Sequence, residues 1–391
     1  MDAEKVCYRI PIGPQHPMYV EAENLEVKVD GERIVDADIN LGYLHRGIEK
    51  LSENRNWIQN IYLFERICGI CSGVHTITYC MMAEDLLGIE IPERAKIIRT
   101  VIGELERVHS HLLMLGAAGY EMGLNTAFMY IWRDREHSMD MLETISGNRV
   151  NYAMNTIGGV RRDIPKSMIP ELLKRVDVLE KRMYHYLHVF GSDRVIRNRT
   201  MNVGVLRKDE AERLSIIGPV ARASGLTYDV RRTRPYAAYD LVNWSVITTS
   251  NGDVHARLDV KVRETLQSLS ILRQCLHKLK RMKEGDIKVK TPSVIPDNES
   301  TVITEAPRGE LFYYGKSNGS DKPERIKIKT PSYQNMHAYK PILRDGHLAD
   351  LPLMVASTDP CFSCCDRVTV IDTNKDTSRI MTANDLRRLK R

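Results

Sequence analysis

The longest regular pattern in the chain is helical, and it restricts the fold to a mainly α architecture. In PERAKIIRTVIGELERVHSHLLML, residues 92–115, apolar side chains recur every three or four positions behind a proline that can start a helix. Similar amphipathic stretches lie at about 126–147, 165–190 and 254–283. The apolar positions that share one face of the first stretch are Ile97, Ile98, Val101, Ile102, Leu105, Val108 and Leu112. Such faces are buried against one another, so the pattern predicts a bundle of long helices.

Different patterns flank this helical body. The stretch ENLEVKVDGERIVDADINLG alternates apolar and polar residues about Asp30-Gly31, which predicts a β-hairpin and a small N-terminal β edge. In KEGDIKVKTPSVIPDNES, Pro, Gly and Asn appear and the helical period stops, so a loop-and-strand segment follows. We therefore predict four regions: an N-terminal hairpin region (1–45), a helical bundle with the first CxxC (46–285), a loop and strand segment with the second CxxC (286–367) and a C-terminal tail (368–391).

Charge and hydropathy exclude several classes of function. The 391 residues can bury a large core, and their formal charge of +6 is spread as short arginine pairs among acidic residues. This distribution indicates a solvated surface with protein partners and no nucleic-acid partner. No run approaches the ~18 uncharged apolar residues of a membrane-spanning helix. The opening MDAEKVCYRI is acidic where a signal peptide is basic, so we expect a cytoplasmic location.

Half of the eight cysteines stand in two pairs of identical spacing. RICGICSGVH contains Cys68 and Cys71, and DPCFSC contains Cys361 and Cys364. In a reducing compartment, closely spaced cysteines indicate metal or redox chemistry more often than structural disulfides. The spacing alone leaves three interpretations open: a closed four-cysteine site for zinc or iron, a dithiol redox site, which would expect a βαβ setting, or a catalytic site for a soft metal.

These two motifs resemble the paired metal-binding motifs of the large subunit of [NiFe]-hydrogenases. The stretches IPIGPQHPMYVEAENL, LGYLHRGIEKL, NRVNYAMNTIGGVRRDIP and EAPRGEL extend the resemblance over nearly the whole chain. The GPQHP and GGVRRD segments are similar to the membrane-bound, energy-converting group (group 4), which includes formate hydrogenlyase and is related to the 49-kDa quinone-site subunit of complex I. That complex I relative lacks the thiol pairs. The resemblance implies a catalytic subunit, in anaerobic energy conversion, that interconverts H2 with protons and electrons.

Carried over residue by residue, the resemblance implies a Ni–Fe centre. Cys68 and Cys361 are expected to be terminal nickel ligands. Cys71 and Cys364 are expected to bridge the nickel to an iron that carries one CO and two cyanide ligands. Thiolates suit this chemistry because they supply electron density to the metals and can accept a proton themselves.

The resemblance also assigns roles to Glu21 and His75. Glu21 falls where the family places the carboxylate that relays protons from the terminal cysteine Cys361. Without the resemblance, Glu21 is an exposed hairpin acid beside Glu23. His75 is expected to donate a hydrogen bond to a bridging sulfur, and its alternative is an ordinary core histidine.

Three further residues are expected around the open side of the metals. Arg308 resembles the arginine poised over the open coordination site, and Pro307 is expected to pack on the diatomic ligands. Their alternative is a plain Pro-Arg-Gly turn. Asp359 is expected to orient Arg308, or else to be a turn residue before Pro360.

The remaining expectations concern a second metal site and the other cysteines. Glu49 matches a carboxylate that binds Mg²⁺ in soluble relatives, but Arg367 stands where those relatives supply a histidine, which argues against that ion. Cys365 follows Cys364 directly, and we assign it no role. The other cysteines are expected to be buried thiols: Cys7, Cys80 and Cys275.

The resemblance implies several partners, because four cysteines used for one centre leave no set for an electron-transfer cluster. We expect a hydrogenase small subunit with the proximal [4Fe-4S] cluster, a ferredoxin-like cluster subunit and ion-translocating membrane subunits, all at the cytoplasmic face of the cell membrane. A maturation protease is expected to cut after Arg367, and VTVIDTNKDTSRIM predicts two short strands about Asn374-Lys375. The alternative is a non-hydrogenase, complex I-like quinone-site or scaffold subunit that holds zinc or no metal.

Overall fold

Helices make up most of the described chain. The computed structural model describes residues 7–19 and 21–365, and beyond them the backbone of two short strands. The helices, in chain order, are α1 (Ile48–Ser52), α2 (Trp57–Glu65), α3 (Ser72–Leu87), α4 (Glu93–Glu121), α5 (Asn125–Ser146), α6 (Ile169–Ser192), α7 (Arg194–Thr200), α8 (Lys208–Arg213), α9 (Gly218–Ala223), α10 (Val230–Thr233), α11 (Val254–Arg281), α12 (Pro331–Asn335), α13 (Tyr339–Leu343) and α14 (Leu351–Ser357). The predicted mainly α class is confirmed.

The strands form small antiparallel sheets at the edges of the helical body. They are β1 (Tyr8–Ile12), β2 (Asn24–Asp30), β3 (Arg33–Asn40), β4 (Asn155–Thr156), β5 (Gly159–Val160), β6 (Glu299–Ala306), β7 (Gly309–Lys316), β8 (Arg325–Lys329), β9 (Thr369–Asp372) and β10 (Thr377–Ile380). The sheet orders are β1-β2-β3, β4-β5, β6-β7-β8 and β9-β10.

The predicted hairpins are found where the local turn chemistry places them. The hairpin about Asp30-Gly31 is β2–β3, and Gly31 provides the left-handed turn with φ of 61°. The two strands predicted in the tail are β9 and β10, which pair antiparallel. The turn at Asn374-Lys375 and the expected cleavage point at Arg367 lie outside the described residues. The division of the chain into four regions stays a prediction.

Helix α4 is the central element of the bundle. It begins after Pro92, as predicted, and all seven apolar positions of its stripe are buried. Its remaining faces are buried too, because α4 packs against α3, α5, α11 and α14. Charged side chains on this helix therefore lie inside the protein, where they need charged or hydrogen-bonding partners from other elements.

The segment between α7 and α11 lies outside the long amphipathic stretches that the sequence predicts. It contains the short helices α8, α9 and α10, joined by turns. Glycines with positive φ at Gly204, Gly218, Gly225 and Gly252 interrupt it, and Pro219 and Pro235 limit how far a helix can extend. Local chain-breaking residues thus make this segment a folded connection between long helices.

Two hydrophobic clusters meet at the paired cysteines. The larger cluster joins the N-terminal sheet to the long helices, and the smaller one lies among α2, α3 and the β6–β8 sheet. The four paired cysteines belong to the smaller cluster. None of the helices in the described part of the chain combines the length and the apolar character needed to cross a membrane.

Candidate metal centre

The structure brings the two cysteine pairs into one buried group. Cys71 directly precedes α3, while Cys361 and Cys364 flank a tight turn after α14. The Sγ of Cys68 lies 3.3 Å from that of Cys361, Cys361 lies 3.3 Å from Cys364, and Cys71 lies 3.8 Å from Cys364. All four are free thiols. Segments from opposite ends of the chain therefore supply one set of sulfur donors.

The first pair is held by the start of α3. The main-chain N–H groups of Ile70 and Cys71 donate to the Sγ of Cys68 at 3.3 and 3.2 Å. Hydrogen bonds from Cys361, Cys364 and Cys71 lower the pKa of Cys68. Both effects favour a thiolate at Cys68, which is the form of cysteine that binds metals.

Glu106 on α4 caps the same helix start. Its carboxylate accepts from the N–H groups of Gly73 at 2.5 Å and Val74 at 2.9 Å, two donors that have no partner within the helix. A Cβ at Gly73 would stand 2.7 Å from the Glu106 oxygen, so this close approach requires glycine. Burial raises the pKa of Glu106 to about 8.

The second pair is held by side chains from distant segments. Both the main-chain N–H and the hydroxyl of Ser363 donate to the Glu21 carboxylate, the former at 2.7 Å. Three more hydrogen bonds reach the turn: Arg46 donates to the Ser363 carbonyl at 2.7 Å, Thr330 to the Cys364 carbonyl at 2.8 Å, and the Cys361 N–H to the Ser332 hydroxyl at 3.1 Å. Tertiary contacts therefore set the position of this turn.

Arg46 also ties the two pairs together. Its guanidinium donates to the carbonyls of Arg66 and Ile67, just before the first pair, at 2.9 and 2.7 Å. The same group reaches Ser363 between the second pair. One arginine fork thus fixes the spacing of the two cysteine loops.

Arg308 lies beside the thiols in the turn between β6 and β7, and Pro307 of the same turn is buried. Its Nε donates to the carbonyl of Asp359 and a terminal nitrogen to the Asp359 carboxylate, both at 2.7 Å; the other terminal nitrogen lies 3.2 Å from the Ser110 hydroxyl. Burial alone would lower the pKa of Arg308, but Asp359 and the nearby cysteines raise it. The guanidinium is therefore a fixed positive charge beside the sulfurs.

Lys261 on α11 takes the other oxygen of the same carboxylate. Its Nζ donates to Asp359 at 2.7 Å, and the lysine is buried. Burial lowers the pKa of Lys261, and the Asp359 charge opposes that shift. Asp359 has a left-handed backbone, with φ of 56°, and bridges two cations from different elements.

His75 lies on the Cys364 side of the group. Its Nε2 is 3.8 Å from the Cys364 Sγ, and its Nδ1 is 2.8 Å from the Tyr313 hydroxyl. Burial lowers the pKa of His75 to about 4, so the ring is neutral at neutral pH. A neutral ring that exchanges one hydrogen bond with Tyr313 leaves its other nitrogen directed at sulfur.

The two N-terminal acids differ in their surroundings. Glu21 is half-buried on Ser363, which differs from the exposed hairpin acid of the alternative interpretation. Glu23 is buried, and among the described residues neither of its carboxylate oxygens has a hydrogen-bond partner. Burial, with a contribution from Glu21, raises the pKa of Glu23 to about 9. Glu23 therefore carries a proton at neutral pH.

Glu49 faces positive side chains. Its carboxylate accepts from the N–H of Ile328 at 3.0 Å and lies 3.6 Å from Arg325 and 3.7 Å from Lys327. These cations offset the charge that a Mg²⁺ ion would otherwise neutralise. The residue expected in place of the relatives' histidine, Arg367, lies outside the described residues.

Three of the remaining cysteines were predicted to be buried, and one of them is exposed. Cys80 and Cys275 are buried as predicted, but the prediction for Cys7 is wrong, because its side chain is exposed just before the edge strand β1. Cys365 is buried with its sulfur 3.8 Å from the Met336 sulfur.

A cavity of about 230 Å³ lies against the centre. Glu21, Arg308 and Asp359 line its polar part. Apolar side chains line the rest, among them Met114, Phe128, Trp132 and Phe362. A small molecule in this cavity would therefore stand next to the Arg308 guanidinium.

Four residues of the centre were not predicted from the sequence: Arg46, Glu106, Ser110 and Lys261. Glu106, Ser110 and Lys261 are polar positions on amphipathic helices, which single-helix patterns assign to solvent. The nearest sequence signal is Gly73, which follows the first CxxC and permits another side chain to pack closely. It does not identify which side chain that is. Only the crossing of α3, α4 and α11 brings these side chains to the cysteines.

The donor set fits a thiolate-bound metal. A tetrahedral ion with metal–sulfur bonds of about 2.3 Å holds its sulfurs about 3.8 Å apart. The three measured sulfur separations lie between 3.3 and 3.8 Å, and the sulfurs of Cys68, Cys71 and Cys364 all lie within 4.8 Å of one another. Three of the sulfurs are therefore close enough to share one metal ion, and Cys361 lies beside two of them.

Comparisons with known proteins match two family descriptions to different parts of the chain. The family described as "Respiratory-chain NADH dehydrogenase, 49 Kd subunit" matches residues 121–367, and "Nickel-dependent hydrogenase" matches residues 46–115. The chain is 39% identical to the carbon monoxide-induced hydrogenase of Rhodospirillum rubrum, over 92% of this chain and 99% of that protein. It is 40% identical to the membrane-bound hydrogenase subunit alpha of Pyrococcus furiosus, over 99% of this chain and 93% of that protein.

A solved structure shows the same fold. A chain of the membrane-bound sulfane sulfur reductase (MBS), an archaeal respiratory membrane complex, matches with a TM-score of 0.88 and 33% identity. The match covers 94% of this chain and 100% of that chain. The similarity therefore extends through both cysteine-bearing ends of the described fold.

Proposed function

This chain belongs to the family of [NiFe]-hydrogenase large subunits and respiratory 49-kDa subunits, and we propose that it interconverts H2 with protons and electrons at a Ni–Fe centre. It is a hydrogenase-type oxidoreductase subunit of a membrane complex. Its proposed metal ligands are Cys68, Cys71, Cys361 and Cys364.

One observation carries the proposal: the four thiols that the hydrogenase resemblance selects form a single buried group with a fixed cation beside it. Without a metal, burial and neighbouring cysteines raise the pKa values of Cys71, Cys361 and Cys364 and so favour their neutral thiol forms. A bound cation would stabilise the thiolate forms of all four. The buried Arg308 charge complements a centre that remains anionic when loaded.

A Ni–Fe centre held by the four cysteines would supply the polarizable, electron-rich metals at which H2 is cleaved. The Sγ of Cys361 would accept the proton released there, and Glu21 would receive it next. The Glu21 carboxylate suits this step because Ser363, two residues after Cys361, holds it at the edge of the cavity.

The remaining residues of the site orient its reacting groups and exclude water. Arg308 would stabilise negative charge that develops beside the sulfurs, since its guanidinium is held in place before the reaction. Pro307, buried in the same turn, would keep that region apolar. His75 directs a ring nitrogen at Cys364 and would limit how much electron density that sulfur donates to a metal.

Electrons leave through a partner. In the part of the chain that the structure describes, the other cysteines form no second metal-binding group with neighbouring acids or histidines. A small subunit with a [4Fe-4S] cluster therefore takes the electrons, followed by a ferredoxin-like subunit. Ion-translocating membrane subunits carry the assembly at the cytoplasmic face, and a maturation protease acts after Arg367.

A second candidate function is that of a complex I-like quinone-site or scaffold subunit. The match to the 49-kDa family over residues 121–367 favours it. In that case the thiols hold zinc or no metal, and no H2 chemistry occurs.

Metal analysis of the purified complex separates the two functions. The hydrogenase proposal expects about one nickel and one iron per chain, with infrared bands of bound CO and cyanide. Zinc alone, or no metal, together with the absence of those bands, would contradict it and favour the second function.

A further inference from the structure

Two buried cations share one carboxylate beside the cysteines. Arg308 binds one oxygen of Asp359, and Lys261 binds the other, each at 2.7 Å. Arg308 also donates to the main-chain carbonyl of Asp359 at 2.7 Å. Both oxygens of Asp359 are thus engaged, and a movement of Lys261 changes the carboxylate that holds Arg308.

The charges of this triad do not cancel. Two cations and one carboxylate leave one positive charge in a region where all three residues are buried. An unpaired buried charge is costly, so nearby anions are needed. The Glu264 carboxylate favours the charged form of Lys261, and the cysteine group favours the charged form of Arg308.

Lys261 differs from its neighbour on the same helix. Arg257, one turn earlier on α11, is also fully buried and also reaches the segment before the second cysteine pair. Arg257 donates to neutral oxygens: the Ser357 hydroxyl and the carbonyls of Gly252 and Gly204, at 2.8–2.9 Å. Lys261 instead donates to the carboxylate that carries Arg308. The two cations of α11 therefore have different roles: Arg257 anchors neighbouring segments, and Lys261 positions a charged group.

We propose that Lys261 is a positioning residue of the metal centre, whose ammonium group fixes Asp359 so that Asp359 holds the Arg308 guanidinium against the cysteine group. Lys261 touches neither metal nor substrate. It acts through Asp359 by hydrogen bonding, and its charge adds to the positive field at the sulfurs. This inference rests on the proposed hydrogenase function and extends it to a residue on α11.

The test uses the purified complex with Lys261→Met, a change that keeps an unbranched side chain only one atom shorter and removes its charge and donors. We expect unchanged nickel and iron content, H2/D2 exchange reduced by about 10- to 100-fold, and a CO band at lower frequency. The band moves because the loss of a nearby positive charge leaves more electron density on the iron. Lys261→Arg, which restores a cation, is expected to return both the band and most of the exchange rate.

Arg257→Met is the matched control. It removes a buried cation from the same helix, so we expect lower stability but unchanged band positions. If Lys261→Met does not assemble, Lys261→Gln replaces it, because Gln keeps a donor and loses the charge; we expect the same direction of band shift.

The outcomes separate the two levels of inference. Wild-type bands and wild-type exchange in the Met or Gln variant would overturn the role of Lys261 and leave the hydrogenase proposal intact. A wild-type complex without nickel and without CO or cyanide bands would overturn both. An equal band shift in Arg257→Met would also overturn the specific role of Lys261.

Discussion

The two cysteine pairs have the same spacing but are built in different ways. Cys68 and Cys71 stand at the start of α3, where N–H groups bind the Cys68 sulfur and Glu106 caps the helix. Cys361 directly precedes a turn of three residues that ends at Cys364, and side chains from distant parts of the chain hold this turn. The first pair is thus positioned mainly by a helix, and the second mainly by tertiary contacts.

This difference teaches how one site can be positioned by a helix start on one side and by side chains from distant segments on the other. The buried carboxyls near the two halves also differ: Glu106 accepts two hydrogen bonds, while Glu23, beside Glu21, has none among the described residues. We therefore expect Glu106 to stabilise the first half, and Glu21 and Glu23 to affect proton transfer and the pH dependence of stability near the second.

The largest expected effect tests whether both cysteine pairs are needed for metal binding. Cys68→Ser and Cys361→Ser should each abolish nickel retention and H2 uptake, because affinity depends on all four thiolates. The helical circular dichroism should persist in both. Cys275→Ser, a buried thiol on α11 outside the group, is the control and should retain nickel. Full H2 uptake in either paired-cysteine variant would refute the metal assignment.

The next effect separates proton relay from tethering at the second pair. Glu21→Gln should keep the metals and lower H2/D2 exchange by about 10²- to 10⁴-fold, because the amide cannot accept the proton. Glu21→Asp should retain part of the activity.

Ser363→Ala provides the matched comparison for Glu21. It removes the hydroxyl donor to Glu21 but keeps the main-chain N–H donor. We expect only a small loss of exchange. If Ser363→Ala falls as far as Glu21→Gln, then Glu21 serves as a tether for the turn and not as a relay.

The third effect concerns the stability of the first pair. Glu106→Met leaves the N–H groups of Gly73 and Val74 without acceptors, so we expect the metal-free protein to lose about 2–4 kcal/mol of unfolding free energy. Glu106→Gln keeps one acceptor oxygen and should lose about half as much. Denaturant unfolding measures both. A loss below about 1 kcal/mol in the Met variant would show that α3 holds the first pair without this cap.

The smallest effect is a pH dependence near the second pair. Glu23 has its usual pKa of 4.5 in the unfolded chain, and burial raises it to about 9 in the folded protein. Between these values the folded state binds more protons, so this group lowers stability as pH rises. From pH 6 to pH 8, wild type should lose on the order of 2 kcal/mol more than Glu23→Gln.

Glu26→Gln is the control for this comparison, because it removes an exposed carboxylate from β2, the strand that begins directly after Glu23. Its pH dependence should follow wild type. Equal slopes for wild type and Glu23→Gln would show that Glu23 is ionised and paired in solution.

The sequence predictions were correct where the interactions involved lie within a few residues along the chain. Pro92 before an amphipathic stripe predicted α4, and Asp30-Gly31 predicted the β2–β3 hairpin, because each signal acts within a few residues. Between α7 and α11 the sequence has no long amphipathic stretch, and glycine and proline leave only short helices there. The fold class depends on many such local signals and was therefore predictable.

The site was predictable only in part. The four cysteines could be chosen because their spacing and family resemblance are distinctive, and the structure brings them together. Lys261 and Glu106 could not, since each is one charge on a long helix, and only its neighbour in space gives it a role. Exposure of Cys7 was also missed, because a single thiol carries no sign of which side of an edge strand it lies on.

The separation of the two pairs along the chain sets an order in time. Cys68 and Cys361 are 293 positions apart. A ribosome that adds about 5–20 residues per second takes about 15–60 s to travel that distance. Throughout this interval the first pair has been synthesised and its partner thiols have not, so an early metal ion meets two sulfurs where the finished centre has four. Loading of the complete site therefore belongs after synthesis of the second pair, and the cell has to keep those two early thiols free of other metals until then.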